Sequence, residues 1–391
     1  MLTADHVLAA AESWYPDRSP MELLAVLRAE QERFVPTWLS ARATREELPA
    51  ALVVELAAAR ERAEQIRQLG QRLRAAVPEA RTVKGPVLAD RYPAGLARLM
   101  ADVDVVVPDA GVAWRVAAAA AAETGAEVRG VSTFPVPEPG RRGLLIGIRM
   151  PERLALEHPL HLDICTHVLV GNGSTVPARA WIGRPGEELE PAGHLLLVAA
   201  KPLERPYGLK QVLDAALLAD ALAPAGVARA RQLAGPLRPE LRAVLELAAR
   251  HGLPVPAPPV GAGQARLARV GRAARFAAAS RRRPLRASLR VLQHTEVADP
   301  ARYRGRRRVW RAVDRRLPVL SPARDGLFRF GLPVTVQGAT DRPLLRTPFG
   351  DYLLVTGAQI TEDWLDDGLV PVGAGEPREP GEPGEPGGTE E

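Results

Sequence analysis

The stretch Arg98-Leu-Met-Ala-Asp102-Val-Asp104-Val-Val-Val107 decides how the chain reads. Alternation through Asp102-Val-Asp104 into a run of valines predicts a β-strand, closed by the turn-like Pro108-Asp-Ala-Gly111. Side chains two apart leave the same face of a strand, so the carboxylates of Asp102 and Asp104 share one side. Two like charges so close repel unless a cation lies between them, and hard carboxylate oxygens suit Mg²⁺ or Mn²⁺. Two solvated aspartates at a strand end satisfy the same spacing, so the motif alone leaves both readings open.

Working outward, Arg81–Lys84 reads as a short strand running into a Gly85-Pro86 break, and 113–123 as an Ala-rich helix. Segments 128–134, 143–149 and 160–169 read as further strands, followed by helices from Gly193 and over 208–223. Upstream, 20–76 has apolar residues at helical intervals up to Pro78. The expected fold class is α+β, a mixed β-sheet core with flanking helices, plus helical and small C-terminal segments. The expected divisions are a helical segment at 1–78, the β-rich core at 79–185 and a helical, Arg-rich segment at 186–300. A small α/β segment at 301–372 and a Gly/Glu/Pro tail at 373–391 follow; the tail is too polar to bury a core and is expected to be disordered.

The strand His158-Pro-Leu-His161-Leu-Asp163-Ile-Cys165-Thr-His167 places His161, Asp163, Cys165 and His167 on one side and leucine and isoleucine on the other. A zinc site is disfavoured because side chains two apart spread along a strand. A third carboxylate, Asp163, beside the Asp102/Asp104 pair on a neighbouring strand is the more economical reading.

These elements together resemble the nucleotidyltransferase superfamily, specifically a bacterial family of uncharacterised nucleotidyltransferases. The resemblance rests on Lys84-Gly85, Tyr92-Pro93, Arg98-Leu-Met-Ala-Asp102-Val-Asp104, Asp163-Ile-Cys165 and Leu209-Lys-Gln-Val-Leu-Asp214, in order, across roughly 75–223. Cys165 departs from it, standing where the family carries a histidine. The resemblance implies a nucleotidyltransferase-type sheet, nucleoside monophosphate transfer from an NTP, and Mg²⁺ (or Mn²⁺) held by Asp102, Asp104 and Asp163. It also implies that Gly85 admits backbone N–H groups to the phosphates while Lys84 and Arg98 neutralise leaving-group charge. Lys210 stands between a phosphate contact and a pair with Asp214 at i+4, whereas Lys201 and Asp214 read as helix salt bridges behind the site.

Composition sets the outer bounds. The 391 residues are 46% hydrophobic and 25% charged, in the globular range, with one cysteine, which excludes a disulfide scaffold. No signal peptide, and no apolar run long enough to span a bilayer, is read from the sequence, so a cytoplasmic protein without a membrane partner is expected. Of 52 basic residues only Lys84, Lys201 and Lys210 are lysines. In so Arg-biased a chain, a retained lysine marks a place where a compact ammonium is needed. Residues 229–316 hold 22 Arg against five acids, a net +17, and the tail from Gly373 carries −5. A solvated surface explains that basic block as well as an anionic partner does, such as an acidic peptide or RNA. The expected acceptor of the nucleotide is therefore a small molecule, peptide or protein. The alternatives are an RNA-modifying enzyme and a catalytically silent, antitoxin-like binding protein. No Walker A loop, Gly-x-Ser-x-Gly elbow or His-Glu-x-x-His motif is present.

Overall fold

A computed structural model describes residues 2–100, 102–136, 142–150, 160–168, 189–201, 207–256, 329–333 and 344–355. Most of the Arg-rich block, the proline-rich stretch after Pro256 and the acidic tail lie outside the described residues. The chain opens with helices α1 (Ala4–Trp14), α2 (Pro20–Glu30), α3 (Val35–Arg42) and α4 (Ala50–Ala76), with a 3-10 turn at Glu32–Phe34. Thr3 and Ser19 each cap a helix through a side-chain oxygen, which satisfies a backbone N–H that has no partner in the first turn. Strand β1 (Arg81–Val83), the short helix α5 (Gly85–Ala89), β2 (Asp102–Val106) and α6 (Ala110–Thr124) follow. Asp109 caps α6, and Gly125 closes it at φ 68°, a left-handed conformation that suits a residue without Cβ. Then come β3 (Glu127–Pro135), β4 (Arg142–Arg149), β5 (His161–Cys165), α7 (Pro191–Ala199), α8 (Leu209–Leu233) and α9 (Arg238–Arg250). Strands β6 (Arg329–Pro333), β7 (Leu344–Thr347) and β8 (Gly350–Val355) complete the described elements.

The fold is α+β. Six strands run in the order β1-β2-β5-β4-β3-β6, and the two-stranded β7–β8 unit continues from β6 through β8. The one parallel pair among the described strands is β2 with β5; the others are antiparallel. Strand alternation divides the sheet into two faces. Val103 and Val105 of β2, Ile146 and Ile148 of β4, and Leu162 and Ile164 of β5 enter one core with Ile66, Leu69 and Leu73 of α4 and Val112 and Val116 of α6. A second core gathers α1–α3, the start of α4, α5 and α7–α9. Helix α4 is long enough to serve both, with Leu52 and Leu56 in the helical core and Ile66 onward under the sheet.

Helix α8 corrects one expectation from sequence, because by length and composition it is apolar enough to cross a bilayer. Here it is the centre of the helical core, with Leu209, Val212, Leu213, Ala216 and Leu218 buried. The chain leaves helical geometry at Ala223 (φ 55°), where the following Pro224 lacks an N–H and crowds the preceding turn.

Arg98 has partners that its local sequence does not reveal: its guanidinium pairs with both carboxylate oxygens of Asp214 on α8 (2.9 Å each) and donates to the Gly85 carbonyl (3.2 Å). The two side chains are only 6% and 5% exposed, and Tyr92 Oη donates to the same carboxylate at 2.8 Å. Asp214 thereby fastens α8 to the segment that leads into β2. Asp214→Ala leaves a buried guanidinium without its counter-charge and should destabilise the protein by about 3–5 kcal/mol, read as a fall in the urea midpoint. A loss below about 1 kcal/mol would show that the pair is not what joins the layers.

Candidate active site

The open face of the sheet carries the acidic residues. In the parallel β2–β5 register Asp104 pairs with Asp163 and Asp102 with His161, so all three carboxylates project to one side while their neighbours fill the core. The same cross-strand row continues through Gly147 of β4 and Gly130 of β3. A Cβ at Gly130 would meet nothing within 4 Å, and one at Gly147 would come no closer than 3.8 Å to Asp163 Oδ1. The sheet beside Asp163 is thus a floor without side chains.

Charge decides the state of the carboxylates. Burial raises the ionisation of Asp163 to about 6, helped by the charges of Asp104 and Asp102 and only partly offset by Lys84 and Lys201. For Asp102 burial acts the same way, but Lys210, Arg33, Lys84 and Lys201 outweigh it and hold the carboxyl below its ordinary value. All three lysines of the chain therefore act on this one aspartate. Lys84 Nζ forms an ion pair with Asp104 Oδ1 at 2.8 Å. Arg62 supports β2 from α4, its Nε donating to the Met100 carbonyl at 3.0 Å.

Lys84 occupies an unusual backbone conformation, φ 57° and ψ −106°, which a side chain with Cβ rarely adopts. The buried His194 of α7 accepts the Lys84 N–H through Nδ1 (3.4 Å), and desolvation lowers its ionisation to about 4, so near neutral pH the ring is uncharged and can accept. Gly85 has a packing reason as well: a Cβ there would stand 3.3 Å from the Asp102 carbonyl, so its absence lets α5 approach β2.

The remaining polar residues of β5 disperse. His161 is exposed and His167 lies in the turn beyond the strand, hydrogen-bonded to Thr166 Oγ1 (3.0 Å) and edge-on to Phe134. Cys165 is buried, its thiol pushed up to about 12 chiefly by burial, so it stays protonated. Lys210 is buried, and its ionisation is lowered to about 7 by burial first and then by the charge of Arg98, against the pull of Asp214 and Asp102. Lys201 adds its charge to Asp102 and Asp163. Sequence reading missed Arg33, whose 3-10 turn gives no motif, and Arg62 and His194, which look like ordinary helix residues.

Three carboxylates on one face are a donor set suited to a hard divalent cation, and their mutual repulsion is what such a cation relieves. As the side chains stand, among the described residues no three His, Cys, Asp or Glu side chains are gathered closely enough to hold a metal ion, and the positive charge on Asp104 is that of Lys84. No family model matches the chain, and no curated protein or solved structure matches it either.

The raised ionisation of Asp163 has a consequence for stability. An acid whose folded value lies above its unfolded value destabilises the fold once it is charged. That penalty is absent below about pH 4, grows through about 6 and is complete at higher pH. Asp163→Asn should therefore stabilise the protein by on the order of 2–3 kcal/mol at pH 8 and by little at pH 4, measured by urea denaturation. Equal stabilities of variant and parent at pH 8 would contradict this electrostatic picture.

Proposed function

We propose that the chain is a nucleotidyltransferase with the sheet type of that superfamily, using Mg²⁺ (or Mn²⁺) to transfer a nucleoside monophosphate from an NTP to a hydroxyl on a small molecule, peptide or protein. The observation that carries this reading is the convergence of the three lysines on a sheet face bearing three aspartates. Acids alone would suit a metal store and cations alone an anion site; nucleotidyl transfer requires both, side by side. Asp102, Asp104 and Asp163 would hold the divalent cation, which would supply charge stabilisation to the phosphoryl group in transfer. Asp163 takes the proton of the acceptor hydroxyl as the oxygen attacks the α-phosphorus. The bond from that phosphorus to the bridging oxygen breaks, and the electron pair leaves with pyrophosphate. Lys84 and Lys210 offset the charge of the phosphates, and the backbone at Gly85 lies beside them. Arg98 serves by anchoring α8, which carries Lys210, and not by touching the nucleotide.

A second reading is favoured by one observation. Lys84 already supplies the positive charge on Asp104, as in a catalytically silent binding protein in which an internal ammonium replaces the metal. One experiment separates the two: incubation of the full chain with each NTP, Mg²⁺ and a panel of hydroxyl-bearing acceptors, with products weighed by mass spectrometry. The proposal expects a product heavier by one nucleoside monophosphate and pyrophosphate release. It also expects Asp104→Asn to lower turnover by roughly a hundredfold or more while the apo protein still folds. NTP binding without any product across the panel would instead favour the silent module.

A further inference from the structure

Two cations at this site form no hydrogen bond or ion pair with any described residue. Arg33 is half-buried on the 3-10 turn Glu32–Phe34, and Lys210 is 7% exposed in the first turn of α8. Arg33 adds its charge to Asp102, yet it also acts on Arg62 and Lys210, two like charges that it disfavours. The acid nearest Lys210 on its own helix, Asp214, is engaged by Arg98 and Tyr92. Arg33, Lys84, Lys201 and Lys210 all act on Asp102, so Arg33 and Lys210 bring positive charge to the acidic face without an ion pair of their own among the described residues. A divalent cation added to the carboxylates would bring further positive charge beside Arg33 and Lys210, a setting that favours an anionic ligand.

The elements bearing the two cations are fastened together. Gln31, two residues before Arg33, accepts the Leu209 N–H through Oε1 at 3.2 Å, so the 3-10 turn caps the start of α8 one residue before Lys210. Gly208 makes this possible, since a Cβ there would run into the same Gln31 oxygen. The N-terminal end of α8 adds the partial positive charge of the helix dipole.

We propose that Arg33 and Lys210 form a clamp for the polyphosphate of the nucleotide, so that the N-terminal helices supply part of the substrate site. The inference rests on the nucleotidyltransferase reading for the identity of its ligand. It makes the specific claim that a triphosphate chain is recognised even without nucleoside or metal.

The test is calorimetric titration of the full chain with inorganic tripolyphosphate in the absence of divalent ions, and with ATP in the presence of Mg²⁺. Tripolyphosphate should bind the parent protein, and Arg33→Gln and Lys210→Met should each weaken it by about tenfold, with partial recovery in Arg33→Lys. The melting temperatures of the apo variants should change little, because neither side chain makes a hydrogen bond or ion pair with a described residue. Tripolyphosphate binding unchanged in Arg33→Gln would overturn the clamp, while retained nucleotidyl transfer in that variant would leave the enzymatic reading intact. A fall in the apo melting temperature with normal tripolyphosphate affinity would assign both residues to the framework and overturn the clamp as well. Absence of binding of both tripolyphosphate and Mg·ATP to the parent would overturn clamp and enzymatic reading together.

Discussion

Carboxylates held side by side and half-buried on one sheet face are hard to keep ionised without positive charge brought to them, and the architecture answers that constraint. The parallel pairing of β2 with β5 puts Asp104 opposite Asp163 and leaves Asp102 on the same face. The sheet has no means of compensating these charges by itself, since its other side is committed to valine, isoleucine and leucine. Compensation comes from outside it: Lys84 from the β1–α5 junction, Lys201 from beyond α7, Lys210 from α8 and Arg33 from the N-terminal turn. The compensation is uneven. Asp102 is held below its ordinary value, while Asp163, opposed chiefly by burial and its own neighbours, is raised to about 6.

Bringing helices to an acidic face requires that they be fixed there. The Arg98–Asp214 pair does this from inside the protein, with Tyr92 and the Gly85 carbonyl completing its hydrogen bonds. A buried pair of this kind adds little net stability over an apolar replacement, but losing one partner is severe, so it acts mainly to specify where α8 sits. At the other end, Gln31 ties the N-terminal turn to the first residue of α8. The strained backbone of Lys84, held by the neutral His194, points the remaining lysine at Asp104. Strain of this kind persists where surrounding structure over-determines it, and here it lies at the acids.

Local pattern carried much of the fold. Asp102-Val-Asp104 alternates because it is a strand with one wet face, the Ala-rich segment after Asp109 is the helix α6, and β3 and β4 fall within a residue of the expected segments. Strand β5 is shorter than the apolar run 160–169 suggests, ending at Cys165, where Thr166 turns to cap the backbone of Leu144. The retained lysines were legible by composition, as an ammonium standing where an arginine-biased chain would otherwise put a guanidinium. What local pattern could not convey was partnership over distance. Arg98 looks like a phosphate ligand until Asp214 arrives from α8, and Arg33 looks like a surface residue until its turn docks against the same helix. The helix read over 208–223 is longer than that, because the chain resumes helical geometry after a one-residue break at Ala223.

The most direct measurement is a crystal structure of the full chain with Mg²⁺ and an NTP analogue that cannot be cleaved between its α and β phosphorus atoms. The account predicts the polyphosphate on the β2–β5 face, with density for a cation on Asp102 and Asp104. It also predicts that Lys84 Nζ, 2.8 Å from Asp104 Oδ1 in the structure described above, has moved from that oxygen to a phosphate. An analogue bound elsewhere, or Lys84 still on Asp104 with no cation at the carboxylates, would contradict it.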